Sequence, residues 1–311
     1  MKILVTGGAG FIGSHIVDFY VKQGHDVAVV DNLSSGNISN LNPEAKFYRI
    51  DIRSEKINDI FEQEKPEVVN HHAAQIDVRK SVADPIEDAS INIIGTLNLL
   101  QNSVEHGVKK FLFASSGGVA YGEPEYLPAD LNHPLNPLSP YGASKMSVEY
   151  YLKIYKELYG LSYAAMRYGN VYGPRQDPHG EAGVIAIFSN KILANEPLTI
   201  FGDGEQTRDY IFVDDVVEAS GRLSFNDISG SFNIGTQVGS SVNELHEIFC
   251  KITGRTIDKI YQPPRAGELN RIYLKHDGDL FGWEPKTALE DGLKITFDYF
   301  KSASELKEKT V

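Results

Sequence analysis

The 311 residues contain a single cysteine, Cys250. No intrachain disulfide can form, and no cysteine metal site can be assembled. Positive charge is also scarce: 30 Lys and Arg against 42 Asp and Glu give a net charge of −12. Nucleic acid and anionic membrane surfaces both need a surplus of cations, so neither is an expected partner. In such a chain any cluster of arginines is informative, because an anionic substrate would have to be met by them. No apolar run is long enough to cross a bilayer, and Met1-Lys2 leads straight into an apolar strand without a signal-like n-region and h-region. A cytoplasmic protein is expected. Solenoid-type repeats and low-complexity segments are missing too.

What is present begins at once. Ile3, Leu4 and Val5 form a short continuous apolar run, the mark of a strand buried on both faces. Gly7, Gly10 and Gly13 follow in a G-x-x-G-x-x-G spacing. Phe11 and Ile12 then open a helical periodicity that Gly24 stops. Strand, glycine turn and helix make the first unit of a dinucleotide-binding fold. Gly7 permits the tight turn, Gly10 lets the backbone approach a pyrophosphate, and Gly13 lets the helix lie close on the strand. The free N–H groups of the helix N-terminus face the phosphates. Asp31, with Asn32 beside it, follows the next apolar strand, 18 residues after Gly13. A carboxylate there accepts from the adenosine ribose of NAD and repels a 2′-phosphate.

Strands and helices keep alternating through the first half, over 47–50, 57–64, 67–72, 89–106 and 110–114, which predicts a doubly wound parallel sheet of Rossmann type. Ala73 and Ala74 close the fourth strand, where a cofactor lies in such a sheet. His71 and His72 are adjacent on a strand, so they point to opposite faces and read as packing or hydrogen-bonding groups rather than a metal pair. Ser139 and Pro140 cap a helix that runs to Gly160 and carries Tyr141 and Lys145 four residues apart on one face. A neighbouring ammonium lowers a phenol's pKa, and a shift of ~3 units needs roughly 4 kcal/mol. The second half is less regular. A helix is expected over 182–194, capping boxes at Ser241/Glu244 and at Thr287/Glu290, and a frayed end from Lys301. The expected division is a cofactor domain over 1–172, to which later segments return, and a smaller α/β substrate domain over 173–311.

Gly7/Gly10/Gly13, Asp31, Ser115-Ser116 and Tyr141-x-x-x-Lys145 together resemble the extended short-chain dehydrogenase/reductases. The stretches Arg167 to Arg175, Phe201 to Tyr210 and Pro263 to Glu268 look like UDP-glucose 4-epimerases and their close relatives within that family. The resemblance covers the chain to about residue 300. It implies inversion at C4 of a UDP-hexose, plain or N-acetylated, through a transient 4-keto sugar, with NAD as cofactor and a homodimer built from helices 89–106 and 146–159.

Carried over residue by residue, Tyr141 is the base, Lys145 holds the nicotinamide ribose, and Ser116 bonds the 4-hydroxyl. Asp51 and Ile52 flank the adenine. Asn170, Arg208 and Arg265 hold the diphosphate, and Glu268 the nucleotide ribose. The serine segment has one residue more than the family pattern, so Ser115 stays open as the alternative to Ser116. Ile272 falls where the family limits space around the sugar. Two other readings stay open: a nucleotide-sugar 4,6-dehydratase or decarboxylase of the same fold, and a non-catalytic NAD-sensing regulator.

Overall fold

The computed structural model describes residues 1–178, 183–265 and 269–308. Its centre is a seven-stranded sheet. Strands β1 (Lys2–Thr6), β2 (Asp26–Val30), β3 (Lys46–Tyr48), β4 (Val68–His71), β5 (Lys110–Ser116) and β6 (Ser162–Tyr168) are joined by a last strand, Gly230–Ile234. Their spatial order is β3-β2-β1-β4-β5-β6 and then Gly230–Ile234, and every pairing is parallel. This is the expected doubly wound sheet. Chain direction across it reverses between β1 and β4, and a ligand crevice opens at such a switch point.

The strands are apolar throughout because both faces are covered. In β1, Ile3 and Val5 point into a core with Ile16, Val17 and Val27, while Leu4 points to the opposite core with Val69 and Phe111. Helix α1 (Phe11–Lys22) covers the first face, together with helix Val213–Ser224. The second half adds three small sheets. Asn170–Tyr172 pairs with Tyr210–Phe212. Thr207–Arg208 lies between Ser240–Ser241 and Arg271–Ile272. Leu198–Phe201 pairs with Lys259–Gln262. The 182–194 helix is described over Val184–Leu193; residue 182 lies outside the described residues.

Two local expectations are corrected and one is refined. The helix expected over 89–106 is present, but it starts at Pro85 and passes through a wide π turn over Ser90–Ile94 before the α-helix Gly95–Glu105. The Thr96 hydroxyl donates to the Asn92 carbonyl at 2.7 Å, side-chain competition of the kind that bends helices. The capping box forms at Ser241/Glu244 but not at Thr287/Glu290. Asp215 accepts from the Thr287 N–H, and Glu290 turns out to Lys251. The last helix runs from Leu289 to Glu308 without fraying at Lys301, anchored by the buried Phe297 and Phe300.

The glycine turn makes the sharpest structural test. A Cβ on Gly13 would meet the Gly7 carbonyl well inside contact distance, backbone against backbone, whereas one on Gly24 meets nothing within 4 Å. Gly13→Ala is expected to cost roughly 1–3 kcal/mol or more by overpacking. Gly24→Ala, at φ +78, carries only the strain of a left-handed alanine, about 1–2 kcal/mol. Denaturant unfolding of the two variants checks the ranking.

Candidate active site

At the β1–β4 switch point the backbone forms a cradle. Gly7 turns at φ 71, and its N–H donates to the Val30 carbonyl at 2.8 Å. A Cβ there would lie 2.6 Å from the Ala73 nitrogen, so the ends of β1 and β4 can approach only with glycine at this point. Ala73 N–H is held by the Thr6 hydroxyl at 3.3 Å. Gly10 is the most open glycine of the turn: a Cβ would find only the Gly7 carbonyl, at 3.1 Å. Helix α1 starts at Phe11 and Ile12 with no side-chain cap and no acidic residue in its first turn, so its N-terminal field is free for an anion. Asp31 is 7% exposed. It accepts from Ala9 N–H at 3.0 Å and from Leu33 N–H at 2.8 Å, which leaves lone pairs on both oxygens. The donor set and the open turn fit a dinucleotide.

Asn32 and Asp51 meet at 3.1 Å. The Arg53 guanidinium grips Asp51 and holds its carboxyl down to about 2. Ile52 is buried against Gly95, where a Cβ would clash at 2.6 Å.

Tyr141 and Lys145 lie on helix Pro140–Tyr159. Ser139 caps this helix through the Gly142 N–H at 3.1 Å. Lys145 is 3% exposed. Its Nζ donates to the Ala114 carbonyl at 2.9 Å and lies 4.8 Å from the centre of the Phe113 ring and 5.6 Å from that of Tyr141. Burial pulls the ammonium down to about 8, and the charge of Asp88 works against that fall. The expected downward push on Tyr141 is not what the structure shows. Burial, and then the Asp88 charge, raise its phenol above the ordinary tyrosine range. His71 and His72 turn to opposite faces, toward Thr96 and Tyr168. Burial and the Lys145 charge keep both imidazoles neutral, His72 down to about 3.

The two serines part company. Ser115 is 3% exposed and donates to the Glu149 carboxylate at 2.5 Å. Ser116 turns the other way: a Cβ on Gly118 would lie 3.9 Å from both the Ser116 Oγ and the Asn170 Oδ1.

In the second half, Arg265 stacks on Phe201 at 3.9 Å. Both line a cavity of about 270 Å³ that also holds Gln206, Asn270 and Arg271. Arg208 lies on the strand next to Gln206, its guanidinium donating to the Thr207 carbonyl at 2.9 Å. Glu268 lies outside the described residues. Ile272 is 3% exposed and packs with Tyr121, Met146 and Leu274.

The sequence pattern of the NAD dependent epimerase/dehydratase family matches residues 3–235. The chain belongs to this family. Among its members, a UDP-glucose 4-epimerase of Mycolicibacterium smegmatis is 44% identical, over 98% of this chain and the whole of that one. A crystal structure of a UDP-glucose 4-epimerase with UDP-glucose from Thermotoga maritima superposes with a TM-score of 0.96 at 49% identity, covering 98% of this chain and 100% of the other. The Thermus thermophilus UDP-glucose 4-epimerase in complex with NAD gives 0.93 at 43% identity, covering 97% and 100%.

Sequence reasoning missed the groups that hold this epimerase/dehydratase site in place. Glu149 accepts from Ser115, Ser231 and Arg167, and Arg167 also donates to Tyr121 at 2.9 Å. Asp209 accepts from Thr236 and from the Leu274 N–H, while its carbonyl takes the Asn170 N–H at 2.6 Å. It thereby ties four segments of the second half together. Arg271 is a third arginine beside the two expected ones, and its nearness to Arg265 in an acidic chain was the available signal. The Glu149–Arg167 pair is a test of this scaffold. Each side chain is 7% exposed, so Glu149→Gln leaves a buried guanidinium without its counter-charge. The expected loss is about 3–5 kcal/mol of folding stability, measured by denaturant unfolding.

Proposed function

We propose that this chain is an NAD-dependent UDP-glucose 4-epimerase, interconverting UDP-glucose and UDP-galactose. The observation that carries the reading is the buried Lys145 beside Tyr141 at the end of β5, with Ser116 on the same strand end and the glycine cradle across the crevice. Gly7, Gly10, Gly13, Phe11 and Ile12 hold the pyrophosphate, Asp31 and Asn32 the adenosine ribose, Asp51 and Ile52 flank the adenine, and Ala73 and Ala74 line the cofactor's path. NAD, when bound, supplies the hydride acceptor for C4 and a cationic ring near Tyr141.

Tyr141 takes the proton of the 4-hydroxyl and gives it back. A phenol that burial pushes upward needs cations around it to do so at neutral pH, and Lys145 is one of them. Ser116, and not Ser115, bonds the 4-hydroxyl, because Ser115 is engaged with Glu149. Arg208, Arg265 and Asn170 anchor the diphosphate, with Glu268 at the ribose, so that the 4-keto sugar can turn over without leaving. Residues 1–172 with the later sheet strand serve the cofactor, and the remainder mainly serves the nucleotide sugar.

A 4,6-dehydratase needs an acid and a base beside the active strand to expel water. The positions after Ser116 are Gly117 and Gly118, and the next carboxylate, Glu123, is turned to the Asn270 N–H at 3.4 Å. Only return of the hydride is left to the keto sugar. A regulator would have no use for the buried ammonium.

We further assign the chain as a homodimer, active in galactose metabolism in the cytoplasm. Ile94, Tyr150, Ile154 and Leu158 stand exposed on the two candidate helical segments, an apolar face suited to a four-helix contact. Among the described residues no helix is long and apolar enough to cross a membrane.

Two outcomes check the proposal. Given UDP-galactose, the enzyme should yield UDP-glucose of unchanged mass, and loss of water from the sugar nucleotide would reject the epimerase. Tyr141→Phe should keep binding NAD and UDP while turnover falls on the order of 10²–10⁴-fold. Near-normal turnover would remove Tyr141 from the chemistry.

A further inference from the structure

Asp88 is a carboxylate inside the protein, 1% exposed, whose side-chain donors among the described residues are neutral. Gln75 donates to it at 2.9 Å, Asn92 at 3.0 Å and Ser144 at 2.6 Å. The three come from three places: the loop after β4, the π turn Ser90–Ile94, and the helix that carries Tyr141 and Lys145. Asn92 and Gln75 also bond each other twice through the Gln75 backbone, at 2.9 Å each way. Ser144 sits directly before Lys145 and one turn after Tyr141. A buried charge in such a frame is costly unless an opposite charge is near, and the ammonium it acts on is Lys145.

We propose that Asp88 positions the Tyr141–Lys145 pair: through Ser144 it docks the first turns of the reactive helix against the π turn, and its charge is the counter-charge of the buried Lys145. The inference rests on Tyr141 and Lys145 being the reacting groups. π turns recur at functional sites, and this one presents the Asn92 amide to the carboxylate. Among the described residues packed around the pair, no other charge competes for the role. His71 and His72 at the end of β4 are neutral. Arg79 and Lys80 on the Val78–Ala83 helix are exposed. Glu87 faces Arg53, and Glu149 faces Arg167. The same charge raises both the phenol and the ammonium, so removing it moves both in one direction.

The test is Asp88→Asn in the NAD-loaded enzyme, a change that keeps the size and most of the hydrogen bonds. Both limbs of the pH profile of turnover should move to lower pH, by about 1 unit or more for a lost buried charge. The phenolate absorbance of Tyr141, titrated without substrate against Tyr141→Phe as blank, should move the same way. Turnover lowered by one factor at every pH, with the phenolate titration unmoved, would overturn the proposal. Ser144→Ala keeps the charge and cuts the tie, so turnover should fall several-fold with the limbs in place. Unchanged turnover there would overturn the docking role even if Asp88→Asn does not fold. A shifted phenolate titration in a protein that epimerises nothing would uphold this inference and reject the proposed function instead.

Discussion

Lys145 is an ammonium that water barely reaches, and much of the site's construction follows from keeping it there. Its hydrogen bond to the Ala114 carbonyl is made to the backbone at the end of β5. Position therefore depends on the sheet, and the carboxyl ends of β5 and β6 are held by Glu149, on the same helix, gripping Ser115 and Arg167. Its charge depends on Asp88, held by neutral donors that fix the carboxylate without neutralising it. The helix Pro140–Tyr159 is thus clamped by carboxylates at two levels, one level with Tyr141 and Lys145 and one a turn further on. Burial sets the sign of every titration in this corner: the phenol up, the ammonium and both imidazoles down.

The two sides of the crevice work by different physics. The first half offers a backbone surface, made by glycines whose missing side chains let β1, β4 and α1 converge. The second half is a side-chain surface, with Arg265 over the Phe201 ring and short strands joined through Asp209. In that cavity Arg265 and Arg271 stand with the carboxylates Asp203 and Glu205.

What could be read in the sequence was local. The cradle lies within eleven residues, and the i, i+4 spacing of Tyr141 and Lys145 is the helix repeat itself, so both were legible. The alternation of strand and helix predicted the parallel sheet for the same reason. Pairings between distant residues were not legible. Ser115 is separated from Ser116 by Glu149, 34 residues further on. Asp88, whose partner Ser144 is 56 residues away, adds to the burial that turns the expected fall of the Tyr141 pKa into a rise. The capping box expected at Thr287 was lost to Asp215, 72 residues earlier. Beside the π turn stand the Thr96 hydroxyl on the Asn92 carbonyl and the tight seat of Gly95 on Ile52, neither of which has a periodicity to read.

The central claim is that C4 is oxidised and reduced again within one closed site, with Tyr141 handling only the hydroxyl proton. UDP-galactose carrying deuterium at C4, incubated in ordinary water, measures this directly. The account predicts UDP-glucose with the deuterium fully retained at C4, read by proton NMR and mass spectrometry. Deuterium lost to water would mean that C4 is inverted by proton exchange, and would contradict it.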